Sequence, residues 1–237
     1  TLLASSAASD VYKRQGHIPI VVGGTGFYIQ ALLYDIDFTG TAQDDTYRAE
    51  LENLVKEKGA AYLHNMLRKV DPKSAEDIHA NNVKRVIRAL EYYRQTGQKM
   101  SEHNEEERRK ESPYEFVYFV LNAPREQLYA RIDRRVDQMI EEGLVDEVKH
   151  LKELGCTKEM VSMQGLGYKE ILAYLDGECD LDTAVYTIKR DTRHFAKRQL
   201  TWFRRERQVT WIQKEVYDYD EDRILKAMLS HLEGRIC

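Results

Sequence analysis

Between Ile18 and Tyr34 the sequence passes from a wholly apolar run, Ile18-Pro19-Ile20-Val21-Val22, through Gly23-Gly24-Thr25-Gly26, to a stretch at helical spacing. An unbroken apolar run of that length suits a strand buried on both faces, the environment of a parallel sheet. Strand, glycine turn and helix in that order are the grammar of a βα unit. A second buried strand is expected at Phe116-Val117-Tyr118-Phe119-Val120-Leu121, and a short final one at Val209-Thr210-Trp211-Ile212. These strands make the fold class α/β with a parallel-sheet core. A parallel strand needs neighbours, and a chain that opens on a central strand supplies too few, so N-terminal strands are expected to be missing.

Residues 41–112 have no strand pattern. Asp44 or Asp45 can cap a helix that runs to Gly59, a natural residue after a helix end. Asp71-Pro72 breaks the next helix, and Ser74 with Asp77 offers a capping box. Lys84 to Thr96 is amphipathic and stops at Gly97, whereas residues 101–112 (SEHNEEERRKES) read as a charged, mobile link. The stretch 41–112 is therefore expected to be an all-helical insertion into a core made of residues 16–40 and 113–237. In the second part of that core, Pro124 opens a helix to about Glu142, and further helices end at Gly155 and Gly177. Asp182 starts a long basic helix to about Arg207, and a last helix begins near Asp220. Residues 1–15 (TLLASSAASDVYKRQ) are small and polar without any period, and are set aside as a foreign or disordered leader.

Composition narrows the class. Hydrophobic residues at 42% and charged residues at 32% allow a packed core and exclude wholesale disorder. No apolar stretch approaches the length of a membrane span, so no membrane partner is expected. Cys156, Cys179 and Cys237 lie far apart without C-x-x-C spacing, which points to reduced thiols of a cytosolic protein rather than a disulfide framework or zinc site. The histidines show no metal-ligand spacing. Net charge is −4, yet residues 187–207 (TIKRDTRHFAKRQLTWFRRER) hold eight Lys/Arg against two acids. Local charge, more than the total, governs binding to a phosphate backbone.

Four groups of residues can carry chemistry. On the long helix, Arg190, Arg193, Lys197, Arg204 and Arg205 fall near one face, with Ile188, Phe195, Gln199, Trp202 and Phe203 on the other. A cationic face suits a polyanion, but it is also what a solvated helix looks like. The Gly23–Gly26 turn can admit an anion at a helix N-terminus, or can serve close packing alone. Arg131 and Arg135 stand four apart on one helix face and could grip a diphosphate, or be neutralised by Asp133 and Glu126. Lys84, Arg85 and Arg88 form a further cluster suited to a phosphate backbone or to solvent.

Three strings coincide in one family. They are residues 16–38 (GHIPIVVGGTGFYIQALLYDIDF), Gly165-Leu166-Gly167-Tyr168-Lys169-Glu170, and Thr192 to Arg204 (TRHFAKRQLTWFR). Together they resemble the bacterial tRNA dimethylallyltransferases, also called tRNA isopentenyltransferases, from Gly16 to about the C-terminus. The resemblance implies a P-loop NTPase-like parallel-sheet core. It implies transfer of a dimethylallyl group from its diphosphate to N6 of adenosine 37 in tRNA, with Mg2+ assisting diphosphate departure. Its partners would be the anticodon stem-loop of tRNA and dimethylallyl diphosphate, handled by a monomer. Arg135, with Arg131 beside it, matches the diphosphate-holding position. Thr25, Arg48 and the stretch Lys84-Arg85-Val86-Ile87-Arg88 match tRNA-contacting positions. So do Gln164-Gly165-Leu166-Gly167-Tyr168-Lys169 and Thr192-Arg193-His194-Phe195-Ala196-Lys197-Arg198-Gln199.

The chain departs from the family pattern at one place. Family members begin with a P-loop of the G-P-T-A-S-G-K-T type, followed by a D-S-x-Q-x-Y segment with the catalytic aspartate, and neither occurs in these 237 residues. The resemblance therefore implies that the general base lies outside this sequence and that the 237-residue chain is inactive as it stands. Three other readings stay open: prenyl transfer to a free adenine nucleotide, a P-loop kinase of small molecules, which would leave the basic helix unexplained, and a non-catalytic RNA-binding fragment.

Overall fold

The structure, a computed structural model, describes residues 15, 17–36 and 45–233. Residues 1–14 of the expected leader (1–15) lie outside the described residues, as do Asp44 and the Asp45 side chain, the two candidates for the expected cap. The chain divides into two compact units, Thr1–Gly23 with Phe27–Glu115, and Gly24–Gly26 with Phe116–Cys237. The division falls at Glu115/Phe116, where the sequence suggested 112/113. Most of the first helix also groups with the helical unit, because Ser112 Oγ donates to Leu33 O at 2.6 Å and Lys110 Nζ to Asp35 O at 3.4 Å.

All secondary structure described in the first unit is helical. Helix α1 spans Gly26–Tyr34, with Phe27 onward in this unit. Helices α2 (Asp45–Lys58), α3 (Ala60–Val70), α4 (Pro72–Asp77), α5 (Val83–Thr96) and α6 (Met100–Arg109) follow. Leu51, Leu63, Leu67, Val86, Ile87, Ala89 and Leu90 form their shared core. The start of α4 is fixed by Asp71, not by the expected Ser74–Asp77 box. Asp71 Oδ1 accepts from Ser74 N at 3.0 Å and Ser101 Oγ at 2.6 Å, and Oδ2 accepts from Ser101 N at 3.0 Å. Burial alone would push this carboxyl up, but the Ser101 and Ser74 hydrogen bonds outweigh it and hold the group below the usual carboxylate range. The expected mobile link at 101–112 is instead mostly helix α6. Surface ion pairs brace it, Lys99 to Glu102 and Arg109 to Glu105 at 2.7 Å each, together with Lys73 to Glu105 at 2.7 Å.

The second unit holds two parallel strands, β1 (Tyr118–Asn122) and β2 (Val209–Gln213), in register from Tyr118↔Val209 to Asn122↔Gln213. Between them run α7 (Arg125–Glu141), α8 (Leu144–Glu153), a 3₁₀ turn (Val161–Gln164), α9 (Tyr168–Leu175) and α10 (Leu181–Phe203). A second 3₁₀ turn (Lys214–Tyr217) and α11 (Glu221–Ser230) close the unit. Val136, Leu144, Val148, Met163, Ile171, Leu172, Ala184 and Ile188 form the core of the α7–α10 layer. Helix α10 is capped by Asp180, whose carboxylate accepts from Thr183 N at 2.8 Å, so its start lies ahead of the expected Asp182.

The strand expectations need two corrections. Ile18–Val22 is not a strand among the described residues: Ile20 is 85% and Val22 90% exposed. A strand exists only where a neighbour takes up its N–H and C=O groups, and this run has no such neighbour among the described residues. Strand β1 alternates instead of being buried on both faces, with Tyr118 and Val120 buried and Leu121 half exposed.

Candidate nucleic-acid and phosphate interface

Helix α10 carries two kinds of cation. Toward its N-terminal half the charges are spent inside the protein. Lys189 Nζ lies 2.5 Å from Asp137, and Arg193 Nη1 donates to both Asp133 oxygens at 2.7 and 2.8 Å. Arg190 pairs with its neighbour Asp191 at 2.8 Å. Both Asp133 and Asp137 stand on α7, one turn apart, so these ion pairs stitch α7 to α10 as well as neutralising the helix. Further along, Lys197, Arg198, Arg204 and Arg205 are exposed and make no ion pair among the described residues. Phe195, expected on the packed face, is instead 41% exposed, with the Arg198 guanidinium 5.7 Å from its ring centroid. An exposed aromatic among unneutralised cations is the combination that stacks a base while its phosphates are gripped.

The glycine turn locks onto this helix. Gln199 Nε2 donates to Gly24 O at 2.7 Å. A Cβ on Gly26 would overlap the Trp202 indole, with Cγ at 3.0 Å and Cδ1 and Nε1 closer still. Gly24 and Gly26 therefore serve close packing, whereas Gly23 has open space around it and Thr25 is exposed. Just past the helix, burial pushes the Glu206 carboxyl up, partly offset by the nearby Trp202 indole. A group with a raised folded pKa contributes stability below its unfolded pKa and loses it as pH rises through the folded one. Glu206→Gln should therefore raise the melting temperature at pH 8 and leave it unchanged near pH 4. A variant that melts lower than wild type at pH 8 would remove this account of Glu206.

A cleft of about 220 Å³ opens at the carboxyl ends of β1 and β2, where open α/β sheets bind ligands. Val120, Leu121, Leu128, Leu200 and Phe203 supply apolar walls, and Asn122, Gln199, Arg131 and Lys214 supply polar groups. Of the two arginines expected to hold diphosphate, the structure brings Arg131 to this cleft. Arg135 is not among its lining residues and lies 3.4 Å from Glu142 on the surface. Asp133, weighed as a partner for those arginines, is bound to Arg193 instead. Lys214 was missed by sequence reasoning; its place directly after a parallel strand was the available signal. Among the described residues no three His, Cys, Asp or Glu groups cluster to hold a metal, and no carboxylate lines the cleft. These residues do not by themselves hold magnesium.

The remaining expected contacts divide by burial. Lys84 and Arg85 are exposed and make no ion pair among the described residues, and Arg88 is exposed beside them. Val86 and Ile87, at 0% and 3% exposure, belong to the helical core, so their side chains cannot meet a ligand. Arg48 makes a bidentate pair with buried Glu91 at 2.9 and 2.7 Å, which gives it a structural task. In the 164–169 segment, Gln164 bonds to Lys158 O, Tyr168 to Glu147, and Lys169 lies 3.3 Å from Glu170. Gly167 adopts φ 99°, and its N–H donates to the buried Glu170 at 2.9 Å, so that loop is held from within.

The second unit thus combines a parallel α/β arrangement, a cleft with two cations at its strand ends, and an exposed, aromatic-bearing basic helix, features that suit a phosphorylated ligand. The model of the IPP transferase family matches residues 3–206. The tRNA dimethylallyltransferase of Lachnoclostridium phytofermentans is 58% identical over 229 residues, covering 97% of this chain and 72% of its own length. That of Acetivibrio thermocellus is 52% identical over 223 residues, covering 94% and 71%. Among solved structures, the tRNA isopentenylpyrophosphate transferase of Staphylococcus epidermidis is 35% identical with a TM-score of 0.62, over 99% of this chain and 76% of that one. A eukaryotic dimethylallyltransferase acting on tRNA is 29% identical with a TM-score of 0.74, over 96% and 59%. The chain belongs to the IPP transferase family.

Proposed function

We infer that this chain serves the transfer of a dimethylallyl group to tRNA. The observation that carries the inference is its 58% identity to a tRNA dimethylallyltransferase across nearly its whole length. The unneutralised half of α10 supports it on physical grounds. We propose the finer reading as well: the acceptor is N6 of adenosine 37, the donor is dimethylallyl diphosphate, and the protein works as a cytoplasmic monomer on the anticodon stem-loop. In that reaction the exocyclic amine attacks the allylic carbon. The new C–N bond forms as the C–O bond to diphosphate breaks, and the amine gives up a proton to a base. An adenine inside the anticodon loop must leave its stack to be reached. Phe195 and Arg198 offer a platform for loop bases. Lys197, Arg204 and Arg205 meet the phosphates, and Arg131 meets the diphosphate head. The parallel core fits the P-loop NTPase-like sheet of the family.

No residue of this chain is assigned as the general base, so acceptor choice is tested by binding. An unmodified anticodon stem-loop carrying adenosine 37 should bind the chain and resist displacement by millimolar AMP. Displacement by AMP would favour the free-nucleotide reading and sink the tRNA one.

A further inference from the structure

We propose that Lys214 is the second anion-binding cation of the cleft, forming with Arg131 a site for a molecule with a short apolar tail and a phosphorylated head. The proposal rests on the prenyl-transfer reading above and adds a residue to it.

Lys214 directly follows β2, at the end where both parallel strands deliver their backbones to one edge. The Asn122 side chain donates to Gln213 Oε1 at 2.9 Å and ties the two strand ends together. That bond engages the Asn122 amide, and Gln199 is likewise committed to Gly24 O. The cleft is left with two charged groups, Arg131 and Lys214, and neither makes an ion pair among the described residues. Lys214 is only partly exposed, a costly position for an ammonium that nothing neutralises. The Tyr219 ring is its neighbour, with the centroid 5.9 Å from Nζ. A ring face steadies a cation without cancelling its charge.

The backbone is bent to put that ring there. Asp218 and Tyr219 both lie in the left-handed region, at φ 54° and 60°, which residues with a Cβ seldom adopt. The Tyr219 N–H donates to Lys214 O at 3.1 Å, closing the turn. The Tyr219 hydroxyl is buried without a hydrogen-bond partner among the described residues, so the ring is not held there by its polar end. Apolar walls with two uncompensated cations complement an organic phosphate or diphosphate whose tail the walls can cover. An inorganic anion would use the cations and leave the walls wet.

Calorimetric binding of dimethylallyl diphosphate to the full chain, with magnesium present, tests this. Lys214→Met keeps the stem and removes the charge, and should weaken binding about tenfold. Lys214→Arg should restore affinity to near wild type. Lys152→Met, which removes a lysine paired with Asp176 at the surface, should change nothing. Wild-type affinity in Lys214→Met, or an Lys214→Arg chain as weak as Lys214→Met, overturns the assignment and leaves the prenyl-transfer reading standing. Absence of saturable binding by the wild-type chain likewise overturns the assignment, whereas the prenyl-transfer reading falls only with the anticodon stem-loop result.

Discussion

Asp71→Ala should destabilise the helical unit by about 3 kcal/mol, from the summed cost of a lost helix cap and buried donors left unpaired. Asp71 is fully buried and accepts from three donors on two elements, Ser74 N on α4 and both Ser101 N and Oγ on α6. Alanine leaves all three donors without an acceptor in a place water does not reach. Asp71→Asn should fall between. Its Oδ1 keeps the bonds to Ser74 N and Ser101 Oγ, but its amide nitrogen then faces the Ser101 N–H, donor against donor. The folded carboxyl titrates below its unfolded value, so its contribution is present above about pH 4 and is lost as pH falls through the folded pKa. The gap between wild type and Asp71→Ala should therefore close in acid. Urea unfolding followed by hydrogen exchange in α4 and α6 reads the effect in the right unit. A loss below about 0.5 kcal/mol, the scale of an ordinary surface change, would refute the capping account.

Gly26→Ala should cost the second unit about 2 kcal/mol, within the range for overpacking a tight contact. Helix propensity pushes the other way, since Ala is favoured over Gly by about 1 kcal/mol inside a helix. The overlap with Trp202 decides the sign, because an indole ring is rigid and cannot give way at one atom. Gly24→Ala is the contrast. Its new methyl would meet only the Gln199 amide, the far end of a flexible side chain that can swing aside at the loss of one hydrogen bond. Thermal unfolding should therefore rank Gly26→Ala well below Gly24→Ala. Equal losses would mean that the turn is not seated on Trp202 as described.

The helices were largely legible in the sequence, because amphipathic spacing and stop residues act locally. The stop at Gly97, where the backbone takes φ 71°, fell where the sequence put it. What failed depended on distant partners. Ile18–Val22 has the composition of a buried strand, but composition does not supply the neighbour that would make it one. The α6 segment looked like a link because its apolar content is low, and its order comes from ion pairs and from Ser101 reaching Asp71. The basic helix was legible as a charge run. Which of its charges are spent was not, since Asp133 and Asp137 reach Arg193 and Lys189 from a helix far away in the chain. Likewise Val86 and Ile87 sat inside a basic motif by resemblance, while the helical period turned them into the core.

The cations of α10 and its C-terminal end divide into a neutralised set and a set left for a polyanion. The most direct test of this division is the salt dependence of tRNA binding by the full chain. Each cation that meets a phosphate adds about 0.7–0.9 to the slope of log affinity against log salt. Removing Lys197, Arg198, Arg204 and Arg205 together should flatten that slope by about 3, while Lys189→Ala should leave it unchanged. A quadruple variant with the wild-type slope, or an Lys189→Ala chain that loses as much as the quadruple one, would contradict the division.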